Sequence, residues 1–566
     1  MCFEAKSQHL EPADPKKPLD NSTWTASKNQ IQFNFIDTDY SLKKHLPPTK
    51  TQQKTNWQAK AWKNEKISTQ LALWGSHEKL DNSNIKITLT DLKSGKGKIS
   101  KENIQLTPIS YVLTDDPSKL RQGCGINVVL DSLLVADRIH NSSDFNFSSE
   151  ETRPYWLSIT IPENAKKGIY KGTISISIGD SKKAQKRTLP YQIEVLDRIL
   201  PNSTNWDFHL DLWQNPYASA RYYNVEAFSE QHLKIIKPSM ERLAKAGQKN
   251  ITTSLIHDPW NGQTYDKYQS MIKWTKKKDG TWNYDYSIFD KWVTYMQDLG
   301  IKDYINGYSM IPWNLSFYYN DEASGKVEVL KVKTSDKAYE DHWLPFLKDF
   351  AKHLKSKNWF DKTTISMDER PMKDMQAAIS IIKKADPNFK ISLAGYYHAE
   401  LSDDIVDYSI PFYETMSPEI LESRKAKGYK TTLYTCCTEI LPNTFTSSDY
   451  NEPIWLMLNS VERGFDGYLR WAMDSWNKIP NTDTRFGTWP GGDAYLLYPE
   501  NQTSIRFEKL AEGIQLIEKI KVLRPQLNSQ QLSELDAVIK MFNNKKVKKE
   551  LIPQQVKQAT DFINSL

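Results

Sequence analysis

Between Trp206 and Trp476 the sequence alternates, again and again, between short runs rich in β-branched and aromatic residues and longer runs with helical spacing. The extended runs are "WDFHLDLW", "NITTSLIHDPW", "DYINGYSMIPW", "TTISMDE", "KISLAGYY", "DYSIPFYE", "KTTLYTCCTE" and "FDGYLRWAMDSW". Amphipathic stretches such as "FSEQHLKIIKPSMERLAKAG", "YSIFDKWVTYMQDLGI", "YEDHWLPFLKDFAKHLKSKN" and "DMQAAISIIKKA" fall between several of them. Parallel strands need long crossover connections, and helices supply them. Eight such strands with intervening helices predict a (β/α)8 TIM-type barrel. That architecture fixes where chemistry belongs, because barrel active sites are assembled at the carboxyl ends of the strands.

The flanks read differently. Up to about residue 200, segments such as "IKITLTDLKSG", "NIQLTPISYVLTD" and "LPYQIEVLDRILP" alternate with period two and are separated by turn residues, which predicts an N-terminal β-sandwich. The passage from Trp156 to Gly179 reads as its clearest hairpin. No acidic or histidine cluster falls in this region, so the sandwich is expected to be an accessory domain. Beyond Pro499 the pattern is mainly helical. The expected division is a tail over 1–24, the sandwich over 25–200, the catalytic barrel over 201–515 and a helical C-terminal extension over 516–566. A length of 566 residues accommodates several domains.

The net charge of +6 is spread through short clusters such as Lys276 to Asp279, a solvated surface rather than a nucleic-acid stripe. No apolar run reaches the roughly eighteen residues of a membrane helix, and the start carries no secretory signal. Cys2 directly after Met1 is what remains when a lipoprotein signal is replaced by a start codon, although an accidental cysteine fits the same observation. Cys2, Cys124, Cys436 and Cys437 lack metal-ligand spacing, and the adjacent Cys436 and Cys437 read as strand residues.

Asp368 and Glu369 stand side by side where the fourth barrel strand ends. An isolated acidic pair also suits the first turn of a helix, where it opposes the helix dipole. At a barrel mouth it suits glycoside hydrolysis, which usually needs an acid for the leaving oxygen and a second carboxylate. Glu369 is the candidate acid. One partner is Glu439, near the end of strand seven, acting as the nucleophile of a conventional retaining hydrolase. The other is Asp368, which is poorly placed to attack the opposite face of the sugar but suited to substrate assistance. In that mechanism a 2-acetamido oxygen attacks C1, and the protein supplies an acceptor for the amide N–H and a balancing negative charge. A neighbouring Asp368 charge is also expected to raise the pKa of Glu369. A noncatalytic glycan-binding protein is the third reading.

The strand-four "MDERP", the strand-eight "GYLRWAMDSWN", the later "WPGGDAYLLYPENQTSIRFEKLAEGIQ" and the "YWLSITIPENAKKGIYKGTISI" segment together resemble glycoside hydrolase family 123, exo-acting β-N-acetylgalactosaminidases. The resemblance spans nearly the whole chain. It implies a sandwich plus barrel, no metal or cofactor, a glycan or glycolipid substrate with terminal β-GalNAc, and retention by substrate assistance. It carries Asp368 over as the acetamido-orienting residue and Glu369 as general acid/base, and with the position of Cys2 it implies export to the periplasm or cell surface, anchored as a lipoprotein. The 18 Trp and 28 Tyr supply flat faces on which sugars stack. Trp471 and Trp476 on strand eight are the candidates for the acetamido methyl pocket, with Asp474 between them for a sugar hydroxyl. Tyr396, Tyr397 and His398 after strand five are candidates for the acetamido oxygen or leaving sugar, and Tyr413, Trp213, Asn215 and Trp313 come from other strand ends. Core or rim packing accounts for each of these equally well, and His257 reads as a structural histidine.

Overall fold

The structure is a computed structural model that describes residues 11–17, 22–27, 30–76, 85–116, 118, 124, 131–141, 147–178 and 185–566. Cys2 and part of the expected tail lie outside the described residues. The chain forms two compact units. The first comprises Met1–Asn205, Cys437–Asn459 and Ile479–Leu566; the second comprises Trp206–Cys436 and Ser460–Lys478.

The first unit is built on two sheets, one of seven strands and one of six. Period-two alternation turns Phe33, Phe35, Leu71, Leu73, Tyr155, Leu157 and Ile159 of one sheet against Tyr170, Ile174, Ile176, Leu189, Tyr191 and Ile193 of the other, and these side chains form one buried core. The expected hairpin after Trp156 is not one. Glu151–Thr160 pairs with Lys66–Ser76 and Ile104–Asp115 in the first sheet, while Gly168–Ile178 pairs with Gln185–Ile199 in the second. The intervening turn carries the chain from sheet to sheet, and alternation alone does not distinguish such an arch from a hairpin because both strands present an apolar face to the same core.

The "GGDAYLLYPENQTSIRFE" block lies in this unit. Thr503 and Ser504 add an edge to the seven-stranded sheet beside Ile139 and Arg138. Arg506 is buried and forks onto Asp137 at 2.9–3.1 Å. It also donates to the carbonyls of Thr444, Gly492 and Tyr495, while the Tyr498 hydroxyl donates to Asp137 at 2.6 Å. The helix Ile505–Leu523 is tied to the strand Lys66–Ser76, with Lys66 Nζ on Glu508 at 2.5 Å and Gln515 bonded to the Lys66 backbone. Cys437 forms a disulfide with Cys124, with Cα atoms 5.0 Å apart. Neither Cys436 nor Cys437 is a strand residue, since the strand before them ends at Tyr434.

In the second unit eight parallel strands pair in chain order: His209–Leu212, Asn250–Ser254, Tyr304–Tyr308, Thr363–Asp368, Lys390–Ala394, Ile405–Pro411, Lys430–Tyr434 and Gly467–Arg470. Strand eight pairs with strand one, and Lys249 N–H donates to the Leu210 carbonyl where strand one approaches the head of strand two, so the barrel is nearly closed. Strands eight and one approach so closely that a Cβ on Gly467 would lie 1.9 Å from the His209 carbonyl oxygen. The barrel interior carries a polar network. His209 pairs with Asp407 at 2.8 Å, Asn306 and Asn250 donate to Asp211, and Thr364, Ser366 and Ser392 bond one another. Burial, then the Asp407 charge, pushes the Asp211 carboxyl up to about 7.

Helices Glu230–Lys245, Ser287–Asp298, Lys337–Ser356 and Met372–Ala385 occupy the stretches expected of them. After strand five the connection is only a short 3-10 turn, Ala399–Leu401. Four strands the sequence reading missed, Lys273–Lys276, Trp282–Asp285, Ser316–Asp321 and Lys326–Lys331, form a separate small sheet from the connections after strands two and three. They are short, and Trp274, Trp282 and Tyr284 in them resemble loop aromatics until their packing is seen. Trp274 stacks on His342 and Phe346 of the helix Lys337–Ser356.

Breaking a buried ion pair from one side leaves an uncompensated charge, at a cost of about 3–5 kcal/mol. Arg506→Ala is therefore expected to lower the stability of the first unit by that order, measured as a shift in urea midpoint, and Asp137→Ala to do the same. Combining the two is expected to cost less than the sum, because each change already removes the same bond.

Candidate active site

Every side chain of Thr363–Asp368 is buried. Thr364 and Ser366 face the polar interior, and Asp368 continues that face to the barrel mouth. The helix after it starts at Met372, and the acid in its first turn is Asp374. Asp368 and Glu369 therefore precede the helix and do not serve its dipole.

Both oxygens of Asp368 are engaged. The Trp313 indole N–H donates to Oδ2 at 3.1 Å, and the Arg370 guanidinium lies 2.8 Å from Oδ1. Arg370 is in turn fixed by the carbonyls of Ile311 and Glu369, at 2.6 and 2.7 Å, and its guanidinium stacks 4.2 Å from the centre of the Trp313 ring. Each carboxylate oxygen has a second lone pair, so this hold leaves acceptor capacity for a ligand N–H. Burial pushes the Asp368 carboxyl up to about 6; Arg370 and the Trp313 bond pull it down, and the Glu369 charge adds to the rise.

Glu369 is half-buried and accepts a hydrogen bond from the Tyr434 hydroxyl at Oε1. Tyr434 is the last residue of strand seven, two positions after Thr432, whose hydroxyl bonds Ser409 inside the barrel. Period two brings Tyr434 to the same inner face. Gly395, next to strand five, lies against the Glu369 backbone, where an added Cβ would sit 3.5 Å from its Cα. Glu439 lies five residues past the end of strand seven on a loop of the first unit, buried, with its carbonyl accepting from the Asn443 side chain at 2.5 Å.

The other expected residues lie in several places around the barrel strands' ends. Trp213 is buried, 4.5 Å between ring centres from Tyr308 and 5.2 Å from Trp260. Tyr308 ends strand three and pairs in register with Ser366, two residues before Asp368 on the neighbouring strand; burial raises its pKa, and the Asp211, Asp407 and Asp368 charges add to the rise. Asn215 and Asp474 meet directly. The Asn215 backbone N–H donates to Asp474 Oδ1 at 2.7 Å, and the Asn215 side chain caps the helix Pro216–Tyr223. Burial pushes Asp474 up to about 7. Trp476 is buried edge-on against Tyr222 and Tyr223, while Trp471 is half-buried just past strand eight. After strand five, the Tyr408 hydroxyl donates to the Tyr396 carbonyl and accepts from the His398 backbone N–H, which pins that loop. Tyr397 packs 5.9 Å from Tyr408. Tyr396, Tyr413 and Trp313 remain about half exposed.

Sequence reasoning missed Arg370, Tyr434, Tyr308 and Trp260. Arg370 sits inside the "MDERP" motif, and Tyr434 was open to discovery by counting inward positions along strand seven. Tyr308 ends a strand as Tyr434 does, but Trp260 lies beyond a strand end and has no periodic signal.

A buried carboxylate held by a tryptophan and an arginine, beside a tyrosine-bonded glutamate at the mouth of an eight-stranded barrel, is the equipment of a glycosidase. Residues 213–523 match the glycoside hydrolase 123 catalytic domain and residues 35–178 match the glycoside hydrolase 123 N-terminal domain; the chain belongs to glycoside hydrolase family 123. A family 123 glycoside hydrolase from Clostridium perfringens, whose structural analysis concerns glycolipid glycan hydrolysis, is 28% identical over 95% of this chain and 98% of its own, with a TM-score of 0.85. Overlaps with Bacteroides uniformis β-glucuronidase 3 (8% identity, 86% and 52% coverage, TM-score 0.30) and with the endo-β-1,4-mannanase of Thermotoga petrophila (11%, 56% and 78%, 0.31) are too low to bear on function. No curated protein matches the sequence.

A hydrogen bond to a charged group is worth about 1.5–3 kcal/mol. Tyr434→Phe is therefore expected to lower kcat on a chromogenic glycoside by about ten- to a hundred-fold with little change in thermal midpoint.

Proposed function

We propose that the protein is an exo-acting β-N-acetylgalactosaminidase that removes terminal β-linked GalNAc from glycans or glycolipids with retention, by substrate-assisted catalysis. The observation that carries this reading is the paired hold on adjacent carboxylates, Asp368 by Trp313 and Arg370, Glu369 by Tyr434. Neighbours on one strand end cannot flank a sugar from opposite faces, as an acid and a nucleophile must. They can divide the work differently. Asp368 accepts the acetamido N–H, turns the amide oxygen toward C1 and balances the charge of the oxazolinium ring as it forms. Glu369 gives its proton to the leaving oxygen, then withdraws one from the water that opens the ring.

The Trp213, Tyr308 and Trp260 cluster beside Asp368 offers the aromatic wall for the acetamido methyl, in preference to the strand-eight tryptophans. The glycolipid glycans of the Clostridium perfringens relative suggest the substrate class. A disulfide between Cys124 and Cys437 suits an oxidising compartment and supports export to the periplasm or cell surface. Among the described residues no helix is long and apolar enough to cross a membrane.

The test compares 4-nitrophenol release from β-GalNAc, β-GlcNAc and β-galactose glycosides. Release is expected from β-GalNAc alone, and Asp368→Asn is expected to cut kcat by about a hundred- to a thousand-fold. Equal release from β-galactose would remove the need for an acetamido group and overturn the mechanism.

The pH profile gives a second check. Because Asp368 works ionised, activity is expected to fall as pH drops through about 6. Arg370 lowers that pKa, so Arg370→Met is expected to move the acid limb of kcat/KM to higher pH by about one unit.

A further inference from the structure

The outward face of the six-stranded sheet in the first unit carries a trough that runs across its strands. Trp57–Lys63, Gln185–Ile199, Gly168–Ile178 and Leu92–Ser94 lie side by side there. Trp57, Tyr191 and Gly172 stand in register, and the Trp57 and Tyr191 rings turn inward to the core and stack, so the backbone of this row floors the trough. One wall is the next row, Gln58, Gln192, Lys171 and Lys93, again in register. The other is Pro190 and Thr173. The Thr173 backbone N–H donates to Thr90 Oγ1 at 2.9 Å, where the strand Ile85–Leu89 leaves Gly168–Ile178 and Leu92–Ser94 takes its place. The trough encloses about 580 Å³.

Charge is concentrated at one end of it. Lys93 and Lys171 are exposed and directly opposite one another, a position in which like charges repel. Asp91, the one carboxylate among the described residues of the lining, is turned to other partners, Lys98 at 2.9 Å and the Lys101 backbone N–H at 2.9 Å. Among the described residues neither Lys93 nor Lys171 is ion-paired. The two ammonium groups therefore cost stability in the free protein, and an anion placed between them removes that cost.

The rest of the lining indicates what carries the anion. Asn56, Gln58 and Gln192 present carboxamides, each able to donate and to accept, which suits the hydroxyls of a sugar. A bilayer would meet the lysines without needing the amides. Four strands about 4.8 Å apart make a trough about 15 Å long, room for about three pyranose rings. We propose that the trough is a noncatalytic binding site for an acidic sugar chain, with a carboxylate or sulfate between Lys93 and Lys171 and neighbouring hydroxyls on Gln192, Gln58 and Asn56. The site belongs to the accessory sandwich and is independent of the reading of the active site.

The experiment titrates the full chain calorimetrically with trigalacturonate, with a carrageenan tetrasaccharide, with neutral maltotriose and with inorganic sulfate, in wild type, Lys171→Gln and Gln192→Ala. At least one acidic sugar is expected to bind and maltotriose not to; the carboxylated and sulfated probes tell which anion the lysines take. Lys171→Gln is expected to weaken the acidic sugar about ten-fold or more, and Gln192→Ala to weaken it by about three- to ten-fold. Without ligand, Lys171→Gln is expected to keep or raise the thermal midpoint, because it relieves the repulsion, so a lost signal is not a lost fold. Failure of both acidic sugars to bind, or equal binding by Lys171→Gln, would overturn the site. Sulfate binding as tightly as the sugars, with Gln192→Ala unchanged, would leave a bare anion contact and overturn the sugar. Vesicles of phosphatidylglycerol that retain the wild type but not Lys171→Gln, with no sugar bound, would assign the face to a membrane instead.

Discussion

A carboxylate buried at the end of a barrel strand is costly to keep charged, and the arrangement around Asp368 answers that cost. Burial drives its proton affinity up, while one indole N–H and one guanidinium drive it down. The balance leaves Asp368 ionised in neutral solution and ready to lose its charge in mild acid. Both partners come from the barrel mouth, Trp313 from the connection after strand three and Arg370 from the turn after strand four. The nearly closed parallel sheet is what gathers them, because it puts every strand's carboxyl end on one rim.

The polar interior beneath that rim follows the same logic at greater depth. Asp211, Asp407 and His209 would be costly as isolated ions; His209 pairs with Asp407, Asn250 donates to both carboxylates and Asn306 to Asp211. Thr364 and Ser366 continue the network up strand four, so Asp368 stands at the top of a column of hydrogen-bonded side chains. Cross-strand hydrogen bonds of this kind stiffen the strand end beneath Asp368.

Much of this was legible in the sequence where periodicity and chain order act together. All eight barrel strands, the helix after Pro371 and the position of Asp368 and Glu369 followed from alternation and spacing. What escaped depends on which surfaces meet. Phase along strand seven was enough to find Tyr434, but nothing local marks Glu369 as its partner, 65 residues earlier. The Trp156 segment shows the limit in reverse: two well-phased strands joined by a turn looked like a hairpin, yet each pairs with a different sheet. Cys124 and Cys437 are separated by 313 residues, so no spacing rule could join them.

The first unit takes its residues from three separate stretches of chain. An edge of one sheet is supplied by Thr503 and Ser504, and the partner of Asp137 is Arg506. During synthesis, a sandwich begun by the first two hundred residues must therefore wait, with an unfinished edge and a lone buried acid, until almost the whole polypeptide has left the ribosome. The order in which the ribosome delivers the parts is not the order in which the fold is completed, and no cut at a single point yields either unit whole.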